Sequence, residues 1–150
     1  MNEFNSIREI LDTCGQYTGL TVGTSMNPLI HHQKDNIIVV KNKERLKKYD
    51  VPVYQDKNGK YIMHRIVEVH PDHYIIIADN LMAKEYVTDD MIVGKLVGFY
   101  KNGKHYIDCE NNKLNKLYSR VWVALYPVRP VYHFAKRCLS FVKRRILKRG

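Results

Sequence analysis

No aspartate or glutamate follows Glu110 in this 150-residue chain. Residues 1–110 hold 14 of the 25 lysines and arginines and all 15 acids, while residues 111–150 hold the other 11 basic residues. The net charge of +10 therefore sits entirely in the C-terminal stretch. A near-neutral body with a basic tail implies that the tail meets a polyanion, either anionic lipid or nucleic acid. Cysteine is scarce as well. Cys14, Cys109 and Cys138 lie far apart, which excludes a disulfide framework and a zinc-binding spacing and points to a reducing compartment. No apolar run approaches the roughly 18 residues of a membrane-spanning helix. The first residues carry Glu3, Glu9 and Asp12 with no basic start before an apolar stretch, so they predict no secretory signal. Internal repeats and low-complexity segments are absent too. With 45% hydrophobic and 27% charged residues, the composition is that of one folded domain with an appended element, long enough to bury a real core.

Ser6 and Glu9 make a capping-box pattern. Phe4, Ile7, Ile10, Leu11 and Cys14 follow on one helical face, and Gly15 and Gly19 bracket its end. A loop comes next, Gly23-Thr24-Ser25-Met26-Asn27-Pro28. Strands are then expected over 36–41, 50–54, 60–69, 73–78 and 91–100, with a turn at Asn102-Gly103 leading into 105–108. Several of these runs are apolar on both faces, as buried strands are. Short strands at this density predict a mostly β (α+β) domain that curls on itself over residues 20–110, behind a short N-terminal helix within 1–19. After Glu110 the period becomes helical: Leu114, Leu117, Tyr118, Val121, Trp122 and Leu125 share one face. Pro127 and Pro130 break this helix. A second stripe (Val131, Phe134, Ala135, Cys138, Leu139, Val142, Ile146) opposes Lys136, Arg137, Lys143, Arg144, Lys148 and Arg149. Residues 111–150 thus read as two helices forming a basic amphipathic tail.

A serine hydroxyl is a poor nucleophile until a base takes its proton, so a hydrolytic serine needs a base and donors for an oxyanion. Ser25 sits in a loop suited to that work: Gly23 permits close backbone approach and Pro28 stiffens the far side. His64 lies mid-strand in Tyr61-Ile62-Met63-His64-Arg65-Ile66, and an imidazole suits general-base work near neutrality. On composition alone, His31, His32, His70, His73, His105 and His133 compete for that role. Asp79 closes the strand that follows the His64 strand and is the first acid to weigh for holding the imidazole in one tautomer, with Glu85 as the alternative. Spacing does not choose between them.

These residues resemble a known family. Gly23-Thr-Ser-Met-Asn-Pro28 is similar to the nucleophile box of type I signal peptidases. Lys34-Asp35-Asn-Ile-Ile-Val-Val40, Tyr49-Asp50-Val51 and Ala78-Asp79-Asn80 resemble three further boxes, with Lys34, Tyr49 and Ala78 replacing their usual glycines. Tyr61-Ile-Met-His64-Arg65-Ile66-Val67 resembles the general-base strand, and Ile92-Val-Gly94-Lys95-Leu-Val-Gly98 the closing strand. The boxes run in family order across roughly residues 20–100. Where most bacterial members carry a lysine, this chain has His64, as in the endoplasmic-reticulum, archaeal and sporulating-bacterial branch. The resemblance implies a signal peptidase-like β fold and a serine endopeptidase acting on a peptide or protein substrate through an acyl-enzyme. It implies Ser25 as nucleophile, His64 as base, Asp79 as its support and the Ser25 N–H as oxyanion donor within the loop of Gly23, Thr24, Met26 and Pro28. It also implies a second acid six residues after Asp79, where Glu85 stands in place of an aspartate, with Asp89 and Asp90 nearby as alternatives. The family's substrate lies as an extended strand with small residues near the cleavage point, and no metal or organic cofactor is implied. Measured against the family, the sequence predicts no N-terminal anchor before the motif and no large inserted β domain of the kind many bacterial members carry.

The tail is expected to replace that anchor. Trp122 and Tyr126 are the aromatic candidates for a membrane interface, and Lys136, Arg137, Lys143 and Arg144 the basic contacts for anionic lipid. The expected location is cytoplasmic, peripheral on the cytoplasmic face of the membrane. Two other readings compete. In one the fold persists as a catalytically inactive peptide-binding module. In the other the chain is a nucleic-acid-binding self-cleaving regulator. That reading ranks last, and nucleic acid is not the expected partner, because no helix-turn-helix is visible and His64 is not the lysine of that branch.

Overall fold

In the computed structural model, which describes residues 6–131 and Cys138, the capping box does what its spacing predicts. The Ser6 hydroxyl accepts the Glu9 N–H and starts helix α1 (Ile7–Cys14). Gly15 ends it with φ 74°, donating its N–H to Leu11, a left-handed C-cap that favours glycine. The helix buries Leu11, which is 1% exposed. Gly94 makes room for it: a Cβ there would sit 2.9 Å from Leu11 Cδ1 and 2.7 Å from the Val40 carbonyl oxygen.

Among the described residues nine strands follow: β1 (Gln16–Leu20), β2 (Asn36–Val40), β3 (Pro52–Gln55), β4 (Tyr61–Met63), β5 (Arg65–Val69), β6 (Tyr74–Ile77), β7 (Lys84–Val87), β8 (Ile92–Lys101) and β9 (His105–Asp108). They form two antiparallel sheets. The first runs β1-β2-β8-β3-β4, with β9 also on β8, and the second runs β5-β6-β7. Breaks in register between Ile38 and Val39 and between Val53 and Tyr54, both against β8, curl the first sheet. Its concave side and α1 enclose a core of Leu11, Met26, Ile30, Ile37, Val39, Val53, Leu96 and Phe99. A second core, with Leu46, Tyr54, Ile66, Tyr74 and Ile76, joins the two sheets.

The mostly β α+β class agrees with the sequence reading, and three local differences matter. The stretches 16–20 and 84–87 are strands, although neither was expected. The single strand expected over 60–69 is two, because the chain leaves the first sheet after Met63 and enters the second at Arg65. His64 occupies the crossing.

The helix after Glu110 forms as expected, as α2 (Lys113–Ala124), with Asn112 accepting the Asn115 N–H as its cap. Its orientation is not the expected one. Asn115 and Ser119 are the buried residues, while Leu114, Leu117, Val121 and Leu125 are exposed. Of the predicted apolar face only Tyr118 and Trp122 turn inward. A short 3-10 turn follows at Tyr126–Val128. Among the described residues no helix is long and apolar enough to cross a membrane.

Candidate active site

The Ser25 loop is braced from beneath. Asp35 is fully buried and accepts N–H groups from His31 at 2.8 Å and Asn102 at 2.8 Å, with Lys101 Nζ at 3.1 Å. Burial pushes the Asp35 carboxyl up, but those N–H groups and Lys101 outweigh it and hold it below the usual carboxylate range. Lys101 Nζ also donates to the Leu29 carbonyl at 2.6 Å. The Thr21 hydroxyl donates to the His31 carbonyl, and His32 Nδ1 accepts the Gly23 N–H at 2.9 Å. Gly23 has φ 100°, and open space surrounds the position a Cβ would take. Backbone conformation, not crowding, therefore demands glycine there. The Asn27–Pro28 peptide is cis. Ser25 itself is half-buried, and among the described residues its N–H and hydroxyl make no hydrogen bond. Both remain available to a ligand.

His64 is 5% exposed. Its Nδ1 lies 3.2 Å from Glu85 Oε1 and 3.2 Å from the Tyr54 hydroxyl. The same hydroxyl donates to Glu85 Oε2 in a short hydrogen bond. One carboxylate thus spans the imidazole and the phenol. Burial holds the His64 pKa below the ordinary 6.5, against the opposing pull of Glu85. Burial and then Glu85 push the Tyr54 phenol well up, so it stays a donor. With Nδ1–H directed to Glu85, Nε2 is the basic nitrogen of a neutral ring at pH 7.

Asp79 does not serve this ring, which corrects the expected support of His64. Its carboxylate takes Arg65 Nε at 2.9 Å, Arg65 Nη2 at 2.8 Å and the Tyr118 hydroxyl at 3.2 Å. Its carbonyl accepts Trp122 Nε1 at 3.0 Å and Arg129 Nη1 at 3.3 Å. Arg65 and Asp79 are each 2% exposed. Neighbouring side chains on extended backbone point to opposite faces, so His64 and Arg65 reach different acids. Asp79 still touches the site through the chain: the next residue, Asn80, donates its N–H to the Ser25 carbonyl at 2.8 Å and its Nδ2 to the Thr24 carbonyl at 3.3 Å.

Ser25 and His64 line one cleft of about 520 Å³, together with Gly23, Thr24, Met26 and Lys60. No hydrogen bond joins the two residues among those described. The cleft floor is apolar, with Ile7, Ile30, Ile37 and Val53, and its flanks carry Tyr17 and Leu20 from β1 and Tyr61 to Met63 from β4. β1 and β4 are the two ends of the β1-β2-β8-β3-β4 path in the first sheet.

The aromatic membrane candidates are placed otherwise than expected. Trp122 binds the Asp79 carbonyl, and the Tyr126 hydroxyl donates to the Met82 carbonyl at 2.7 Å. Arg129 stacks over both rings. Their polar atoms hold α2 to the body. Lys136, Arg137, Lys143 and Arg144 lie outside the described residues. Tyr54, Arg65 and Tyr118 escaped the sequence reading as functional groups: Tyr54 is one of 11 tyrosines, and no spacing marks it. Compared with known proteins, the chain matches no family model and no curated protein.

Proposed function

We propose that this chain is a serine endopeptidase similar to type I signal peptidases of the Ser-His kind. The observation that carries this reading is the Tyr54–Glu85–His64 array, whose buried histidine lines the cleft that also holds Ser25. In the proposed cycle Ser25 Oγ attacks the scissile carbonyl while His64 Nε2 takes its proton. The Ser25 N–H stabilises the oxyanion. The imidazolium, steadied by Glu85, then gives the proton to the leaving amine, and water hydrolyses the resulting ester by the same route. Tyr54 fixes Glu85 for this task. An extended substrate lying between β1 and β4 has backbone partners on both flanks, with the apolar floor receiving its side chains. We place the protein in the cytoplasm, peripheral on the membrane.

Mass spectrometry of a randomised peptide library incubated with wild type and Ser25→Ala tests the peptidase reading. Cleavage that disappears in Ser25→Ala supports it. The missing Ser25–His64 hydrogen bond favours a second reading, a catalytically inactive peptide-binding module. Equal silence from both proteins, with both folded, selects that second reading. Catalytic hydrogen bonds often tighten only around substrate, which ranks the peptidase first.

A further inference from the structure

We propose that the outward face of α2, together with the lysine-rich loop before β3, is a docking surface for a bilayer rich in anionic lipid. The helix has three faces. The polar one, Asn115, Ser119 and Trp122, is spent on the body: Ser119 Oγ accepts Arg65 Nη1 at 2.7 Å, and Trp122 holds Asp79. The second is aliphatic and faces solvent: Leu114 is 77% exposed, Leu117 57% and Val121 47%. The stripe continues through Leu125 and Val128 to Val131, all exposed. An apolar band of this length left open on a helix marks an interaction site. The third face, between the other two, carries Lys116 and Arg120.

Lys116 and Arg120 share a cleft of about 700 Å³ with Lys43, Lys47 and Lys48. None of these five cations has an ion-pair partner among the described residues, whereas Lys41 and Lys95 in the same cleft are paired to Asp12 and Glu110. Unpaired cations beside an aliphatic stripe match the two layers of a membrane interface, phosphate headgroups and acyl chains. Nucleic acid supplies the charge but gives leucine and valine side chains nothing to enter. The chain beyond Val131 carries seven further basic residues and no acid, which favours the same partner.

The inference rests on the peripheral location proposed above and not on peptidase activity. It names a different contact surface, since Trp122 and Tyr126 stay on the body. Full-length protein is mixed with phosphatidylcholine vesicles containing or lacking 30% phosphatidylglycerol and sedimented at low and high salt. Wild type is expected on the anionic vesicles at least tenfold above the neutral ones, with salt reducing it. Leu117→Glu/Val121→Glu is expected to lower anionic retention tenfold or more. Lys43→Gln/Lys47→Gln/Lys48→Gln is expected to lower it about fivefold per lysine removed. Absence of wild-type retention sinks the peripheral location altogether. Retention unchanged in both variants leaves that location standing and overturns this surface. Concentration-dependent dimers that dissolve in Leu117→Glu/Val121→Glu, without vesicle retention, make the stripe a contact between copies instead. Capture by duplex DNA but not by vesicles overturns the proposal as well.

Discussion

Asp79 and Glu85 are six residues apart, both lie close to His64, and they do different work. Asp79 is sealed, and every hydrogen bond it accepts ties the body to Arg65 or to α2 and the turn after it. Glu85 is a third exposed and holds a histidine and a tyrosine. The Asp79 carboxylate is clamped bidentately by Arg65 and capped by Tyr118, which hold it facing them and away from the imidazole. Glu85 meets only a phenol and has oxygen left for His64. Arg65 thus claims one acid and leaves His64 the other.

The sharpest way to break this contrast is Arg65→Ala. It leaves the Asp79 charge buried without its guanidinium and is expected to cost about 3–5 kcal/mol of folding stability, read by urea denaturation. A loss under 1 kcal/mol would contradict a locked clamp. Glu85→Gln is expected to leave the midpoint nearly unchanged and to lower kcat/KM roughly 10²–10³-fold, because the imidazolium loses its counter-charge. The pH profile separates the two acids further. In the proposed cycle His64 acts as base only when neutral, and its pKa lies below 6.5, so the acid limb of activity is expected below pH 6.5. Glu85 raises that pKa, so Glu85→Gln moves the limb to still lower pH. Stability follows the same sign. The depressed His64 pKa contributes fully above about pH 6.5, and stability falls as pH drops from there toward the folded-state value.

Tyr54→Phe is expected to be milder, about tenfold in kcat with the substrate KM held, since Glu85 keeps its charge and loses only its tether. Loss of folding equal to that of Arg65→Ala would make Tyr54 part of the clamp instead. The smallest effect is expected at Leu117→Ser. The helix is fixed by its polar face, so thermal unfolding should move by less than about 0.5 kcal/mol. Leu11→Ala on α1 is expected to lose about 2–4 kcal/mol, because there the apolar face is the buried one.

Much of the framework was legible in the residues. Ser6, Glu9 and Gly15 announce α1, and the isoleucine and valine runs announce β2, β6 and β8. Two strands were hidden. β1 contains Gly19, which lies under the Tyr17 ring, so its alternation is broken where a side chain would clash. β7, Lys84–Val87, is an edge strand with one buried residue, too little apolar signal for a period of two. At the candidate site, Ser25 and His64 were singled out in the sequence, and the two line one cleft. The choice between Asp79 and Glu85 was not legible there. Glu85 reaches His64 because β7 pairs with β6 in a register that sets it opposite Ile76, and pairing between strands is not written in the spacing along one chain. The inverted α2 was illegible for a related reason. A helical period shows which residues share a face, whereas the buried Arg65–Asp79 pair decides which face turns inward.

β8 comes late in the chain and sits in the middle of the first sheet, bonded to β2, β3 and β9. The residue at its end, Lys101, ties down both Leu29 and Asp35 beneath the Ser25 loop. During synthesis the Ser25 loop and the histidine crossing therefore leave the ribosome well before the strand that unites them. Until residue 101 has emerged, β2 and β3 have no common neighbour, and Asp35 lacks its lysine. Long-range pairing of this kind forms late and slowly. A nascent chain cut short of β8 carries Ser25 and His64 but no assembled site, so the cleft they line exists only once β8 is in place.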